Sequence, residues 1–384
     1  MSLRDQFLLR PDIIYLNHGS FGACPRPVFE AYQARQLELE REPVEFLGRR
    51  YNELLLTARQ SLGAFVGADP DDVVYVPNAT YGLNIVARSL PLKPDDEVLS
   101  TDHEYGALDR TWEFVCSKNG ARYVRRHVAL PIESAEQVIE TIWSGVTART
   151  RVLFISHISS PTAIIFPIDE LIRRARAAGL ITVVDGAHVP GHIPLDIRAL
   201  DADFYCGNCH KWVMSPKGSA FLHARREMQD ILEPLVVNFA WRADKRTLSK
   251  FVEENQWQGT REIAAFLATP DALAFMAAND WPRVQRECHD LVRYARDRVS
   301  ALTGLPPLTP DSPAWFGQMA TLPLPPCNLE TLGRRLYDEF RIEIPTTDWN
   351  KGHFLRISIQ AYNTRSDVDA LADALKTLLP QVSV

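Results

Sequence analysis

Residues 181–214 read ITVVDGAHVPGHIPLDIRALDADFYCGNCHKWVM, and the fold of the whole chain turns on them. Two short runs rich in β-branched and aromatic residues, Ile181-Thr-Val-Val184 and Asp203-Phe-Tyr-Cys206, predict two buried β-strands. Each run delivers polar groups at its C-terminal end. The first passes into Asp185-Gly-Ala-His188, the second into Gly207-Asn-Cys-His-Lys211. In open α/β sheets ligands bind outside the carboxyl ends of the strands, so chemistry is expected at these residues.

A carboxylate at one strand end and a lysine just past a neighbouring one suit pyridoxal phosphate. The lysine amine forms the Schiff base, and the carboxylate keeps the pyridine nitrogen protonated so that the ring accepts electrons. Plainer readings stand beside this one: a strand-end Asp often caps a turn, and a lysine after a strand often lies on a solvated surface. Cys206-Gly-Asn-Cys-His210 also spells the C-x-x-C-H pattern of haem attachment. That pattern follows a core strand directly and leaves no room for a haem crevice. A haem- or metal-binding protein is therefore kept only as an alternative from another class, with a non-catalytic relative of the fold.

The chain has 384 residues, 46% of them hydrophobic, which is enough core for one large and one small domain. Its net charge of −6 is carried by interspersed signs, so neither nucleic acid nor an anionic membrane is an expected partner. Six scattered cysteines in so long a chain point to a reducing cytoplasm rather than a disulfide framework. The opening MSLRDQFLLRPDIIYLNHG carries early charges and no continuous apolar run, unlike an export signal. No apolar stretch is long enough to span a bilayer.

Before the central stretch, strand and helix alternate. Asp72–Val76 leads to a helix capped by Asn78 or Thr80, then Glu97–Ser100 to 106–119, Arg122–Arg126 to 134–144, and Arg151–Ile155 to 168–178. Helices are also predicted at Val28–Glu42 and Arg49–Val66. This rhythm predicts an α/β fold whose mostly parallel sheet is covered by helices on both faces, with Gly218–His223 added as an antiparallel strand. Beyond residue 262 come helices at Ile263–Ala278, Pro282–Thr303, Leu329–Phe340 and 366–379, with a strand at Leu355–Ile359. The expected division is a large domain over 16–262 and a smaller α+β domain from 1–15 and 263–384.

The ordered segments LNHGSFG, NATYGLN, TDHEYGALD, ISHISSPTA, VVDGAH, CHK, QGTRE and LRISIQAYNT resemble the class V aminotransferase family of fold-type I pyridoxal phosphate enzymes. Within it they are most similar to the isopenicillin N epimerase-like group, a relative of the cysteine desulfurases. The resemblance runs from Tyr15 to about Asp369 and implies a role for individual residues. Lys211 is the Schiff-base lysine, whose pKa must fall below an exposed lysine's before it can act as nucleophile or base. Asp185 pairs with the pyridine nitrogen, and His188 contacts the ring's 3′-oxygen. Tyr105 covers the ring where relatives carry a stacking histidine, with His103 as its competitor. Ala79 and Thr80 at a helix start, with Asn208 and His210, hold the phosphate. Ser160 or Thr162 stands where relatives place a cofactor-contacting Asn that is absent here. Arg356 grips the substrate α-carboxylate, as a planar guanidinium does well, and the loop of Asn17 and His18 closes over the same group. Gly259-Thr260 resembles a segment donated by a partner subunit, which implies a homodimer with shared sites; Trp241-Arg242 either lines that pocket or is simply a loop.

The implied activity is at Cα of an amino acid, or of the amino-acid portion of a larger substrate. Epimerisation and transamination share their first proton transfer, and β-elimination from a cysteine conjugate or sulfoxide, a C–S lyase reaction, starts the same way. A desulfurase needs an accessible, low-pKa thiol on a mobile loop, and the nearest cysteine before Arg356 is Cys327 in the Pro-rich turn LPLPPCN.

Overall fold

In the computed structural model, which describes residues 3–384, twelve strands follow one another as β1 (Ile14–Tyr15), β2 (Val73–Val76), β3 (Glu97–Thr101), β4 (Arg122–Arg126), β5 (Thr150–Ser156) and β6 (Ile181–Asp185). Then come β7 (Phe204–Asn208), β8 (Ala220–Ala224), β9 (Met319–Leu324), β10 (Ile342–Glu343), β11 (Thr346–Trp349) and β12 (Gly352–Ser358). Seven of them form one sheet in the order β2-β8-β7-β6-β5-β3-β4. The pairs β7–β6, β6–β5, β5–β3 and β3–β4 are parallel, and β8 runs antiparallel to both β2 and β7. Parallel strands buried on both faces read as continuous apolar runs, and β2, VVYV, is buried at all four positions. The two apolar clusters that cover the sheet lie on opposite faces, one holding Tyr205 and Cys209, the other Phe204 and Cys206.

Because four strands run parallel to β6, their carboxyl ends gather on one rim. From it the chain enters helices Ala79–Ser89 and Gly106–Asn119. Asn78 caps the first, accepting the Tyr81 N–H at 2.8 Å. The smaller C-terminal domain is a three-stranded antiparallel sheet, β11-β12-β9, packed on helices Trp281–Thr303 and Leu329–Phe340, against which helix Arg365–Val382 packs in turn. The N-terminal arm reaches this region: β1 pairs in parallel with β10, and Phe7 packs edge-on against Phe275 and Tyr362.

Two expected elements change. The single helix predicted over Ile263–Ala278 is broken into Ala264–Leu267 and Thr269–Ala278, because Pro270 has no N–H to continue the first ladder. A helix at Lys250–Gln256, capped by Ser249, was not legible among the polar residues before it. Among the described residues no helix is long and apolar enough to cross a membrane.

Candidate active site

The rim formed by β2, β3, β5, β6 and β7 opens into a cleft of about 560 Å³. Asp185 ends β6 and His188 follows it, while Asn208, His210 and Lys211 come from the end of β7 and its turn. Ala79 and Thr80 start the helix after β2, Tyr105 stands before the helix after β3, and Ser160 follows β5. Ser20 and Phe21 reach in from the N-terminal segment.

Lys211 sits in a turn held from behind. His18 Nε2–H donates to its carbonyl at 3.1 Å. Gly22, at φ 71°, lies so close to the His210 carbonyl that any Cβ would overlap it, so only glycine lets the 17–22 segment settle there. The Lys211 amine is 3.1 Å from His188 Nε2. Burial, and next the nearby Arg356 cation, hold its pKa well below the usual lysine range against the opposing pull of Asp185. Asp185 is 4% exposed, accepts the Ala187 N–H at 2.9 Å, and forms no ion pair among the described residues. Burial pushes its carboxyl up from the usual range. A buried carboxylate without a cation, aimed into a cleft, is the partner a protonated pyridine requires.

Arg356, on β12, stands directly behind Ser20 and Ser160 of the cleft wall. Its Nη1 donates to the Ser160 carbonyl at 2.6 Å and to Ser160 Oγ at 3.1 Å, and its Nη2 donates to Ser20 Oγ at 3.0 Å. It has no carboxylate partner among the described residues, and burial lowers its pKa to about 10. Ser20 in turn donates to Asn17 Oδ1, and Asn17 Nδ2 donates to Glu343. Asn17 and His18 thus stand behind the site, one positioning Ser20 and the other the Lys211 backbone. Neither side chain is among those that line the cleft. Ser20, which no strand-end pattern marks, faces the cleft instead.

At the other end of the cleft Asn208 Oδ1 accepts the Ala79 N–H at 2.8 Å, so Asn208 fixes the helix start and the Ala79 donor is already engaged. Thr80 and His210 bring a hydroxyl and an imidazole to the same end. His210 donates Nδ1–H to the Ser219 carbonyl at 3.0 Å, and burial lowers its pKa to about 4. A helix N-terminus with a hydroxyl and an imidazole makes an anion site.

Several expected residues lie elsewhere. Tyr105 lines the cleft, 45% exposed, but His103 is fully buried outside it. His103 spends Nε2–H on the Val128 carbonyl at 2.8 Å and bonds Thr162 Oγ1 through Nδ1 at 2.7 Å, so neither nitrogen is left for a cofactor. Thr162 is drawn away by the same bond, leaving Ser160 as the hydroxyl on the cleft. Thr260 is an exposed turn residue and does not line the cleft of its own chain. The C-x-x-C-H pattern is dismantled by the strand: Cys206 and Cys209 point into opposite core clusters, and burial raises both thiols, that of Cys209 to about 12. No group of residues suited to holding a metal occurs among the described residues. Glu104, unnoticed in the sequence, is a buried carboxyl below the site. It accepts from Ser156 N–H, Ser156 Oγ and Thr101 Oγ1, and burial raises it to about 8.

Residues 14–371 match the family model Aminotransferase class-V. The chain belongs to the class V aminotransferase family. Isopenicillin N epimerase of Amycolatopsis lactamdurans is 37% identical over 98% of this chain and 97% of that one. A protein named probable L-cysteine desulfhydrase, chloroplastic, of Arabidopsis thaliana is 27% identical over 96% of this chain and 83% of its own. The crystal structure of the cysteine desulfurase CsdA from Escherichia coli shares the fold, with a TM-score of 0.82 and 24% identity over 99% of this chain and 98% of that one. As a class V aminotransferase family member the chain is a pyridoxal phosphate-dependent enzyme. The donor set fits that cofactor, with an unpaired carboxylate, a low-pKa amine and an anion site around one cleft.

Proposed function

We propose that the protein inverts or exchanges the proton at Cα of an amino acid, or of the amino-acid portion of a larger substrate, with isopenicillin N as the first compound to try. The observation that carries this reading is the arrangement of Lys211, Tyr105 and Arg356. The buried guanidinium has no carboxylate of its own, and a free amine and a phenol border the same cleft. Pyridoxal phosphate supplies the electron sink that makes a Cα–H bond acidic.

The chain's own residues do the rest. With the cofactor bound, Asp185 would hold the pyridine nitrogen protonated, Thr80 and His210 would take the phosphate, and Arg356 would take the substrate carboxylate. Lys211, with its lowered pKa, would then be the group to remove the Cα proton near neutral pH. Tyr105 presents a phenolic O–H from the helix start after β3 and serves the other face of Cα, which inversion requires. No cysteine lines the cleft, which favours this chemistry over persulfide formation. Cys327, the nearest cysteine before Arg356, is buried, and burial raises its thiol above the ordinary range.

The exposed apolar residues Val237, Phe239 and Trp241, with Phe239 92% exposed, support a homodimer in which Thr260 reaches the partner's site, and the scattered free cysteines suit a cytoplasmic location. Sedimentation of a fully loaded monomer would remove the homodimer.

The test is the loaded enzyme in D₂O with L- and D-amino acids, isopenicillin N and cysteine conjugates. Cα deuteration with inversion, read by mass spectrometry and chiral chromatography, is the expected result. Pyruvate and ammonia from the conjugates, without inversion, would replace it by β-elimination, the C–S lyase reading.

A further inference from the structure

Trp212 follows the lysine directly, and its indole is fully buried. It is held between two imidazoles: His192 stacks on it with centroids 4.0 Å apart, and His18 tilts against it at 5.0 Å. Both of those rings have their protons placed by obligatory partners. His192 Nε2 accepts the Gln318 N–H at 2.7 Å, so its Nδ1–H donates to the His188 carbonyl at 2.9 Å. His18 gives Nε2–H to the Lys211 carbonyl, so its Nδ1 accepts from the Tyr362 hydroxyl at 2.9 Å. Neither ring competes for the indole N–H.

That N–H is aimed at His188 Nδ1, 3.3 Å away. Indole nitrogen only donates, so Nδ1 must accept. A neutral imidazole carries one proton, and here it has to be on Nε2. Burial above all, with the nearby Arg356 guanidinium, keeps the ring neutral far below its ordinary range. Nε2–H therefore points at the Lys211 amine, 3.1 Å away, and can bond it only if that nitrogen offers a lone pair. An ammonium there would set N–H against N–H.

We propose that Trp212 is a positioning residue that sets the direction of a Trp212–His188–Lys211 hydrogen-bond chain, fixing His188 as a permanent Nε2–H donor and holding Lys211 as a free amine. His188 is then a donor and takes no part in proton transfer. That the same N–H next serves a ring oxygen of pyridoxal phosphate rests on the function proposed above. The polarity of the chain itself does not.

The experiment uses cofactor-free protein labelled with ¹⁵N-histidine, with His188→Gln assigning the His188 signals. In the wild type, His188 is expected to show the Nε2–H tautomer alone, without titrating between about pH 9 and about pH 5.5. Trp212→Phe, which keeps a ring but removes the N–H, is expected to give mixed tautomers. In the same variant the pH midpoint for modification of Lys211 by trinitrobenzenesulfonate should move up by about one pH unit. An Nδ1–H or charged His188 in the wild type overturns the proposal, and so does an unchanged tautomer in a folded Trp212→Phe. If the variant does not fold, the wild-type spectrum decides. A protein with the expected tautomer that takes up no pyridoxal phosphate would keep this inference and sink the functional one.

Discussion

The guanidinium of Arg356 rests on Ser160, 2.6 Å from its carbonyl and 3.1 Å from its hydroxyl, and meets no carboxylate among the described residues. A buried cation supported only by neutral dipoles is costly to the fold, and its Nε has no hydrogen-bond partner among the described residues. The arrangement makes sense if an anionic substrate completes it.

Arg356→Leu should therefore separate function from stability. Loss of charge-assisted hydrogen bonds to a substrate carboxylate, worth about 3 kcal/mol, lowers kcat/KM by roughly a hundredfold or more. The same change relieves an unpaired buried charge, so the urea midpoint should hold or rise. A variant that loses stability in step with activity would mean that Arg356 is a structural strut.

Asp185→Asn keeps the shape but removes the charge. Without a carboxylate opposite the pyridine nitrogen the ring cannot stay protonated, and exchange of the Cα proton should drop by about a hundredfold or more while the cofactor still binds, since breaking a buried pair is worth about 3 kcal/mol or more. Binding is read from the near-visible absorbance and exchange from deuterium uptake. Full exchange activity in the variant would show that Asp185 does not face the ring.

Glu104 makes a pH signature. Its folded-state pKa, about 8, is raised above the unfolded value, so between the two the native state holds a proton that the unfolded state has lost. Its contribution is complete below the unfolded pKa and is lost as pH rises toward 8. Glu104→Gln carries no such proton, so the variant's stability should overtake the wild type's as pH rises. Parallel urea-stability curves for the two proteins from pH 5 to pH 9 would refute the buried, protonated carboxyl.

The histidines give the opposite slope. Burial lowers His18 and His192 to about 3 and His157 and His223 to about 4, so all four are neutral in the fold. Below the unfolded histidine pKa the unfolded chain binds protons that the native one does not. Stability therefore falls as pH drops from the unfolded value, by up to about 1.4 kcal/mol per pH unit for each histidine. Denaturation at successive pH values between 7 and 4 measures it, and a flat profile would mean that these rings find charge partners on protonation.

The resemblance and the strand-end pattern made much of the site legible. Asp185 and Lys211 could be placed because a parallel strand buried on both faces must end at the sheet's rim, and polar residues directly after it have nowhere else to go. Tyr105 and His103 were not separable in the same way. They are two residues apart at one strand end, and only the turn decides that His103 goes under the sheet, to Val128 and Thr162, while Tyr105 faces the cleft. Cys206-Gly-Asn-Cys-His210 misleads for a related reason: a strand's alternation sends its first two polar-looking ligands to opposite faces.

By itself, the sequence determined the α/β architecture and the strand ends at which Asp185 and Lys211 gather, because periodicity and strand length are local properties; Arg356 entered only through the family resemblance. Tertiary structure alone decided that Ser20 and Asn17 brace Arg356 across more than three hundred residues, that His18 holds the Lys211 backbone, and that Trp212 points its N–H at His188. Each of those depends on which face of one packed segment meets another. Such a meeting is fixed by the packing of the whole chain, and no spacing within a single stretch encodes it.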